Sequence, residues 1–159
     1  MGIVTPGFQG RRRQATGPAL PPGQYLTEDF PVLSAGPTPR VSRDEWEFVI
    51  TTETGVEHRW TWSDLLALPH ETPTVDIHCV TRWSKRDTTW QGVSLDVLLA
   101  GVQTSARFAL ALSYGGYTTN LPLADLRGGR AWVVHRYEGA DLTPEHGGPA
   151  RLLVPHLYF

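Results

Sequence analysis

The sequence reads Val75-Asp76-Ile77-His78-Cys79-Val80-Thr81-Arg82-Trp83-Ser84 where an apolar strand gives way to a polar, charged segment. Cys79 is the only cysteine of the chain, so it has no partner for an intramolecular disulfide. One cysteine also falls short of the sulfur ligand sets of structural zinc and iron–sulfur sites. Three roles stay open for Cys79: an inert buried residue, a nucleophile, or the single protein ligand of a metal whose other donors come from an organic cofactor.

Length and composition indicate a single globular domain. The chain has 159 residues, 40% of them hydrophobic, which is enough for one substantial core and excludes membrane and fibrous proteins. The formal net charge of −2 gives no electrostatic reason to expect nucleic acid as a partner. Arg11-Arg12-Arg13 is followed by Gln14-Ala15-Thr16-Gly17-Pro18, not by the apolar stretch of a twin-arginine export signal. We therefore expect a cytoplasmic protein without direct membrane insertion.

Proline marks the beginning of the chain as different from the rest. Seven of the thirteen prolines lie among the first 40 residues, at positions 6, 18, 21, 22, 31, 37 and 39. They remove backbone donors and block regular helices and strand ladders. Residues 1–29 are therefore predicted to be a flexible Pro/Gly-rich arm, and residues 30–159 to form the domain.

The pattern after Glu45 predicts an α+β fold with a mixed sheet and short helices. Apolar residues alternate with polar ones on both sides of Thr54-Gly55, which indicates a β-hairpin. Ser63 is a candidate N-cap for a helix over Asp64–Leu68, and Ser94 for a second over Leu95–Ala100. Further strands are predicted at Thr74–Val80, Arg107–Ser113, Ala131–Arg136 and Arg151–Val154. The short helices do not alternate regularly with the strands, which argues against a doubly wound parallel sheet.

Histidine chemistry at Cys79 has little support in the sequence. An extended strand places His78 and Cys79 on opposite faces, so His78 is not expected to act as the base for the thiol. Five other histidines, at positions 58, 70, 135, 146 and 156, are available, but no local signature selects one of them. A thiol hydrolase stays open as an alternative. Zinc has no positive support, since the histidines show no close His-x-x-x-His pairing.

Two other stretches carry residues suited to binding a ligand. His146-Gly147-Gly148-Pro149-Ala150-Arg151 offers two glycines that let the backbone approach a ligand, flanked by donors for an anionic or heteroaromatic group. The same residues could form no more than a turn before a strand. The stretch from Ser113 to Pro122 could be a bulged strand end or a wall of a site.

Together these motifs resemble the molybdopterin-binding domain of the sulfite oxidase family. The resemblance is carried by His78 to Ser84, by Trp90-Gln91-Gly92-Val93, by Tyr117 to Pro122 and by His146 to Pro155. Pro21-Pro22-Gly23-Gln24 and Phe30-Pro31-Val32-Leu33 are similar to the small bacterial members. The motifs stand in the family's order and spacing from about Pro21 to the last residue.

The resemblance implies a molybdenum–molybdopterin cofactor and a role for each matching residue. In that family one cysteine thiolate binds molybdenum and two further sulfurs come from the pterin dithiolene, which would explain an isolated cysteine. Cys79 matches the catalytic metal ligand. Four residues match positions that contact the cofactor, and they are Ser34, Ser113, His146 and Arg151.

The resemblance also implies an oxidoreductase that transfers an oxygen atom to or from a small substrate of the sulfite, sulfoxide or N-oxide class. Electrons would pass to a separate electron-transfer partner, because the chain has no haem motif such as Cys-x-x-Cys-His.

Two departures from the family pattern bear on function. Family members continue into a Ser- and Lys-containing stretch that grips the pterin phosphate, whereas this sequence ends at Phe159, so we expect the domain over residues 30–159 to be truncated at its C-terminus. Leu33-Ser34-Ala35 matches the segment where sulfite-oxidising members place an arginine, and none of the three can hold the anion. The alternative is a binding or scaffold module that has kept the fold without the metal.

Overall fold

The described part of the protein contains ten strands and two short helices. A computed structural model describes residues 19–33 and 36–159. The strands are β1 Tyr25–Leu26, β2 Glu47–Thr51, β3 Glu57–Thr61, β4 Thr74–His78, β5 Trp83–Ser94, β6 Phe108–Leu112, β7 Thr118–Pro122, β8 Trp132–Tyr137, β9 Ala140–Asp141 and β10 Arg151–Leu153. The helices are α1 Trp62–Ala67 and α2 Leu95–Leu99, with 3₁₀ turns at Leu123–Leu126 and Pro144–His146. In the described residues no helix is long and apolar enough to span a bilayer.

The long strand β5 organises the main sheet. Its neighbours along the sheet are β1, β4 and β8, while β9 and β10 pair with β8. The β1–β5 pairing is parallel, and the other pairings are antiparallel. The two remaining sheets are the β2–β3 and β6–β7 hairpins. The α+β class with a mixed sheet and short helices is therefore confirmed.

Strand β5 itself was not predicted from the sequence, because its middle is polar and charged. Its buried polar side chains find partners inside the protein instead of following the alternation of a half-buried strand. Thr88 is fully buried and donates to the carbonyl of Val75, and the indole nitrogen of Trp90 donates to Thr88 Oγ1 at 2.8 Å. Hydrogen bonding, not apolar patterning, thus allows β5 to occupy the centre of the sheet.

The predicted hairpin and helices form with adjusted ends. The hairpin is present as β2 and β3, and α2 begins after Ser94, whose side chain accepts from the Asp96 N–H. Helix α1 begins two residues earlier than expected, with Thr61 instead of Ser63 as its N-cap. Thr61 accepts from the Asp64 N–H while the Asp64 carboxylate accepts from the Thr61 N–H, so both ends of a capping box are satisfied.

Two apolar clusters fill the interior. The larger one joins the hairpins and α2 to one side of the main sheet, and it includes Trp46, Leu65, Val93, Leu98 and Val133. We call the other the cysteine cluster, and its buried members are Ile77, Cys79, Trp83, Trp90, Trp132, Val134, Leu142 and Leu153. Cys79 therefore begins the β4–β5 turn and packs in the interior.

Part of the segment predicted as an arm belongs to the sheet. Tyr25 pairs with Trp83 and Leu26 with Ser84 in the parallel β1–β5 ladder. Residues 1–18 and Ser34 lie outside the described residues, and the boundary at residue 30 stays a prediction.

Candidate metal and cofactor site

Cys79 is held by main-chain hydrogen bonds in a tight turn. Strand β4 ends at His78, earlier than the predicted Val80, and the Cys79 N–H donates to the Trp83 carbonyl at 2.9 Å. The Arg82 N–H donates to the Cys79 carbonyl, also at 2.9 Å, which closes the turn. Arg82 has a φ of 80°, a left-handed conformation that a non-glycine residue rarely adopts. The cysteine backbone is thus fixed at both of its polar groups.

The thiol is buried and accepts one hydrogen bond in the described structure. Cys79 is 2% exposed. The hydroxyl of Thr81 donates to Cys79 Sγ at 3.2 Å. A soft sulfur donor next to a hydroxyl is an arrangement that suits a metal-bound thiolate.

A chain of side-chain hydrogen bonds connects the cysteine turn to residues before β1. Gln24 Nε2 donates to the Cys79 carbonyl at 3.2 Å, and Ser84 Oγ donates to Gln24 Oε1 at 3.0 Å. Because the Ser84 hydroxyl donates its one hydrogen bond to Gln24, it accepts a hydrogen bond from Nδ1 of His78 at 2.8 Å. His78 therefore contacts Ser84 instead of the thiol, as expected from alternation along the strand.

Aromatic rings surround the cysteine cluster. Phe30 packs edge-on against Trp83 and Trp90 with ring centroids 6.0 Å apart in both cases, and lies 5.0 Å from Tyr137. Phe159 packs against Trp83 at 5.3 Å. The indole N–H of Trp83 is buried without a hydrogen-bond partner in the described structure. The rings exclude water from the region around the thiol.

The loop that contains His146 and Arg151 meets the same aromatic group. The His146 ring stacks on Phe30 with centroids 4.0 Å apart, and its Nε2 donates to the Phe30 carbonyl at 3.0 Å. Arg151 Nη1 donates to the His146 carbonyl at 3.1 Å, and the guanidinium lies over Trp90 and Phe159. Burial lowers the pKa of Arg151, because the charged guanidinium loses hydration.

The two glycines of this loop allow it to approach the protein itself. A Cβ on Gly148 would lie 2.2 Å from the carbonyl oxygen of Leu142, and Gly147 has a φ of 90° with the Arg151 side chain 2.9 Å from where its Cβ would stand. The sequence suggested that these glycines make room for a ligand. Their observed effect is to fit the His146 turn against Leu142 and Arg151.

The structure brings three of the five predicted site residues into one region. A small cavity of about 30 Å³ is lined by Arg151, Phe30 and Phe159, and by Ile77, Trp90 and Leu153 of the cysteine cluster. Cys79 and Arg151 therefore have neighbours in common. His146 contacts the same region, because its ring bonds to the Phe30 carbonyl and its own carbonyl accepts from Arg151. The thiol itself packs in the cluster and does not line the cavity.

Ser113 and Ser34 are not placed with the other three. Ser113 is exposed in the β6–β7 turn, where its backbone N–H and its Oγ both bond to Tyr117. Its described contacts are thus local to that turn. Ser34 falls outside the described residues.

Sequence reasoning missed Thr81, Gln24 and Phe30 as parts of this site. Thr81 could have been found, because it stands two residues after the cysteine and carries a hydroxyl. Gln24 and Phe30 stand in stretches that carry the family resemblance, but no local pattern predicted their contacts, since they reach Cys79 and His146 from 55 and 116 residues away in the sequence.

Comparison with known proteins identifies the family. Residues 35–159 match the oxidoreductase molybdopterin-binding domain. The chain belongs to this family. A Bacillus subtilis (strain 168) protein described as the uncharacterized oxidoreductase YuiH is 37% identical over 156 residues, which is 96% of this chain and 79% of that protein.

A solved structure shows the same fold as this molybdopterin-binding domain. The sulfane dehydrogenase SoxCD from Paracoccus pantotrophus superposes with a TM-score of 0.64 at 22% identity, over 74% of this chain and 35% of that one. The chain thus spans about a third of the SoxCD chain. The sulfite oxidase-type fold implied by the resemblance is confirmed.

The donors of the site fit the molybdenum–molybdopterin cofactor of the family. Cys79 supplies a soft sulfur, and Arg151 supplies a partly buried cation with one described hydrogen bond, which leaves other N–H groups for an anionic group. Within the described residues, no three His, Cys, Asp or Glu side chains gather as a metal site. Arg151 lines the cavity of about 30 Å³, which is smaller than a pterin.

Proposed function

We propose that this protein is a molybdenum-cofactor-dependent oxidoreductase that transfers an oxygen atom to or from a small substrate. Cys79 is the metal ligand in this proposal. The observation that carries it is the placement of the one cysteine, whose sulfur accepts a hydroxyl hydrogen bond in a fixed turn and shares its neighbours with the Arg151 loop. The substrate class is sulfite, a sulfoxide or an N-oxide, and electrons pass through a separate partner protein in the cytoplasm.

Each residue of the site has a task in this reaction class. The bound cofactor supplies two sulfur donors and the two-electron chemistry of oxygen-atom transfer. Cys79 anchors the metal, while Gln24 and the main chain hold the cysteine carbonyl. Arg151 would hold an anionic part of the cofactor with charge-assisted hydrogen bonds, and His146 would contact the cofactor from the turn that precedes Arg151.

Ser113 and Ser34 are further cofactor contacts in this proposal. Ser113 offers its hydroxyl from an exposed turn and Ser34 from the segment after Phe30. Their support is the match to family positions. Both are expected to contribute less than Arg151, which carries a full charge in a partly buried place.

Molybdenum content and the absorption spectrum of the loaded protein test the proposal. The protein purified from cells that make the cofactor is expected to hold close to one molybdenum per chain. Cys79→Ala is expected to lose the charge-transfer absorption of the protein thiolate on the metal, because its sulfur is gone while the two cofactor sulfurs stay. Val97→Ala is the matched control, because it truncates a partly buried side chain in the other apolar cluster and should keep the metal. An absorption spectrum of loaded Cys79→Ala identical to that of the unmodified protein would contradict the proposed ligand. Absence of the metal from the unmodified protein would favour the scaffold module.

Reaction class is tested on the metal-loaded protein. The turnover rate is measured with sulfite and an electron-acceptor dye, and with sulfoxides and N-oxides and a reduced, electron-donating dye. Turnover that disappears in Cys79→Ala but not in Val97→Ala supports oxygen-atom transfer. A loaded protein that turns over none of the three classes contradicts the substrate range.

A further inference from the structure

The side chain of Thr81 is directed at the sulfur instead of at the protein scaffold. Thr81 and Val80 are both exposed in the turn, and Val80 keeps 73% of its surface accessible. The described hydrogen bond of the Thr81 hydroxyl goes to Cys79 Sγ at 3.2 Å. Main-chain hydrogen bonds of Cys79 close the turn, so the Thr81 hydroxyl is not needed to close it.

The direction of this hydrogen bond is fixed once sulfur binds a metal. A metal-bound thiolate has no proton to give, so Thr81 must be the donor. A donor to a ligating sulfur withdraws electron density that the sulfur would otherwise give to the metal. Less donation stabilises the oxidised metal less, and the reduction potential therefore rises.

We propose that Thr81 is a positioning residue whose hydroxyl hydrogen-bonds the metal-bound Cys79 sulfur and raises the reduction potential of the metal. This inference rests on the proposed function, because it requires Cys79 to be the ligand. Two sets of hydrogen bonds support it. The N–H and the carbonyl of Cys79 both bond within the turn, and Gln24, which precedes β1, also donates to the Cys79 carbonyl. The sulfur and the Thr81 hydroxyl therefore stay within hydrogen-bond distance of each other.

The test compares three variants in the metal-loaded protein. Thr81→Val removes the hydroxyl and keeps the shape, Thr81→Ser keeps the hydroxyl, and Thr51→Val makes the same change at an exposed threonine at the end of β2. Midpoint potentials are measured by titration with dithionite, which supplies the electrons that the metal accepts, and the paramagnetic metal state is followed by electron paramagnetic resonance.

We expect Thr81→Val to make the metal harder to reduce. The reduction equilibrium constant should fall about three- to tenfold, and tenfold corresponds to about 59 mV for a one-electron couple. Thr81→Ser and Thr51→Val should keep the potential of the unmodified protein. The sulfur-to-metal charge-transfer absorption should move to longer wavelength in Thr81→Val alone, because the sulfur regains its electron density.

Each other outcome has a definite meaning. Equal potentials in all variants overturn the inference. A shift shared by Thr81→Val and Thr81→Ser also overturns it, because the variant that keeps the hydroxyl would then have failed to keep the potential. Loss of molybdenum from Thr81→Val also overturns it, because the hydroxyl would then be needed to hold the metal in place and not to tune its potential. If Thr81→Val does not fold, Thr81→Ala takes its place with the same criteria.

Failure of this inference is separable from failure of the proposed function. An unchanged absorption spectrum in loaded Cys79→Ala refutes the ligand assignment itself. A changed spectrum in Cys79→Ala, together with an unchanged potential in Thr81→Val, refutes only the role of Thr81.

Discussion

Gly92→Ala is expected to be among the most destabilising single substitutions in this protein. Gly92 lies in β5 where the register to β8 shifts, between Gln91 and Gly92. A Cβ there would lie 2.2 Å from the carbonyl oxygen of Val133 and 2.5 Å from Cα of Val134. Both are backbone atoms, so no side-chain rotation relieves the overlap.

The magnitude follows from what must move. The methyl group would be about 1 Å short of an ordinary contact with the Val133 oxygen, so β5 must separate from β8. Separation weakens two or three ladder hydrogen bonds, at about 1 kcal/mol each. It also loosens the packing of Val93 and Val134, both of which are fully buried, and strain of this kind costs about 1–3 kcal/mol. The expected loss is about 4 kcal/mol, a large part of the roughly 5–15 kcal/mol that stabilises a typical domain.

Urea unfolding followed by tryptophan fluorescence measures this loss. With a slope of about 2 kcal/mol per molar urea, the midpoint should fall by about 2 M. Gly101→Ala is the matched control, because no atom lies within 4 Å of its Cβ position, and its stability should change by less than about 1 kcal/mol. A Gly92→Ala protein within about 1 kcal/mol of the unmodified one would refute the reasoning. The sheet would then have room between β5 and β8 that the structure does not show.

Two further predictions concern acid stability and the His146 loop. The Glu53 carboxylate accepts hydrogen bonds from the Thr104 hydroxyl and from Ser105, and these lower its pKa from 4.5 to about 2. The stabilisation by this carboxylate is therefore complete above pH 4.5 and is lost as the pH falls to about 2. Glu53→Gln should be less stable than the unmodified protein at pH 6, and its stability should decline less on acidification. Identical pH profiles of the two proteins in thermal unfolding would contradict this. Gly148→Ala should push the loop away from the Leu142 carbonyl and reduce molybdenum content, whereas content equal to that of the unmodified protein would show that the loop need not keep this position.

Local chemistry made several elements predictable. Alternation over Glu47–Thr51 and Glu57–Thr61 predicted the hairpin, because a half-buried strand repeats every two residues. Ser94 predicted the start of α2, because its side chain satisfies a free N–H at the helix end. The Ser63 prediction was wrong by two residues, since Thr61 is closer to the strand end and forms the capping box with Asp64.

The sequence by itself determined which atoms are available to the site: one soft sulfur, the hydroxyl beside it, and the cation and imidazole of the glycine-rich loop. Tertiary structure alone decided which of them meet. It placed polar β5 in the middle of the sheet, brought Gln24 to Cys79 and Phe30 to His146, and left Ser113 in a turn of its own. Composition and local spacing fix which donor atoms are present and which backbone conformations their residues prefer. Contacts such as those of Gln24 with Cys79 and of Phe30 with His146 depend instead on strand pairing and packing between residues far apart in the chain, which no local pattern encodes.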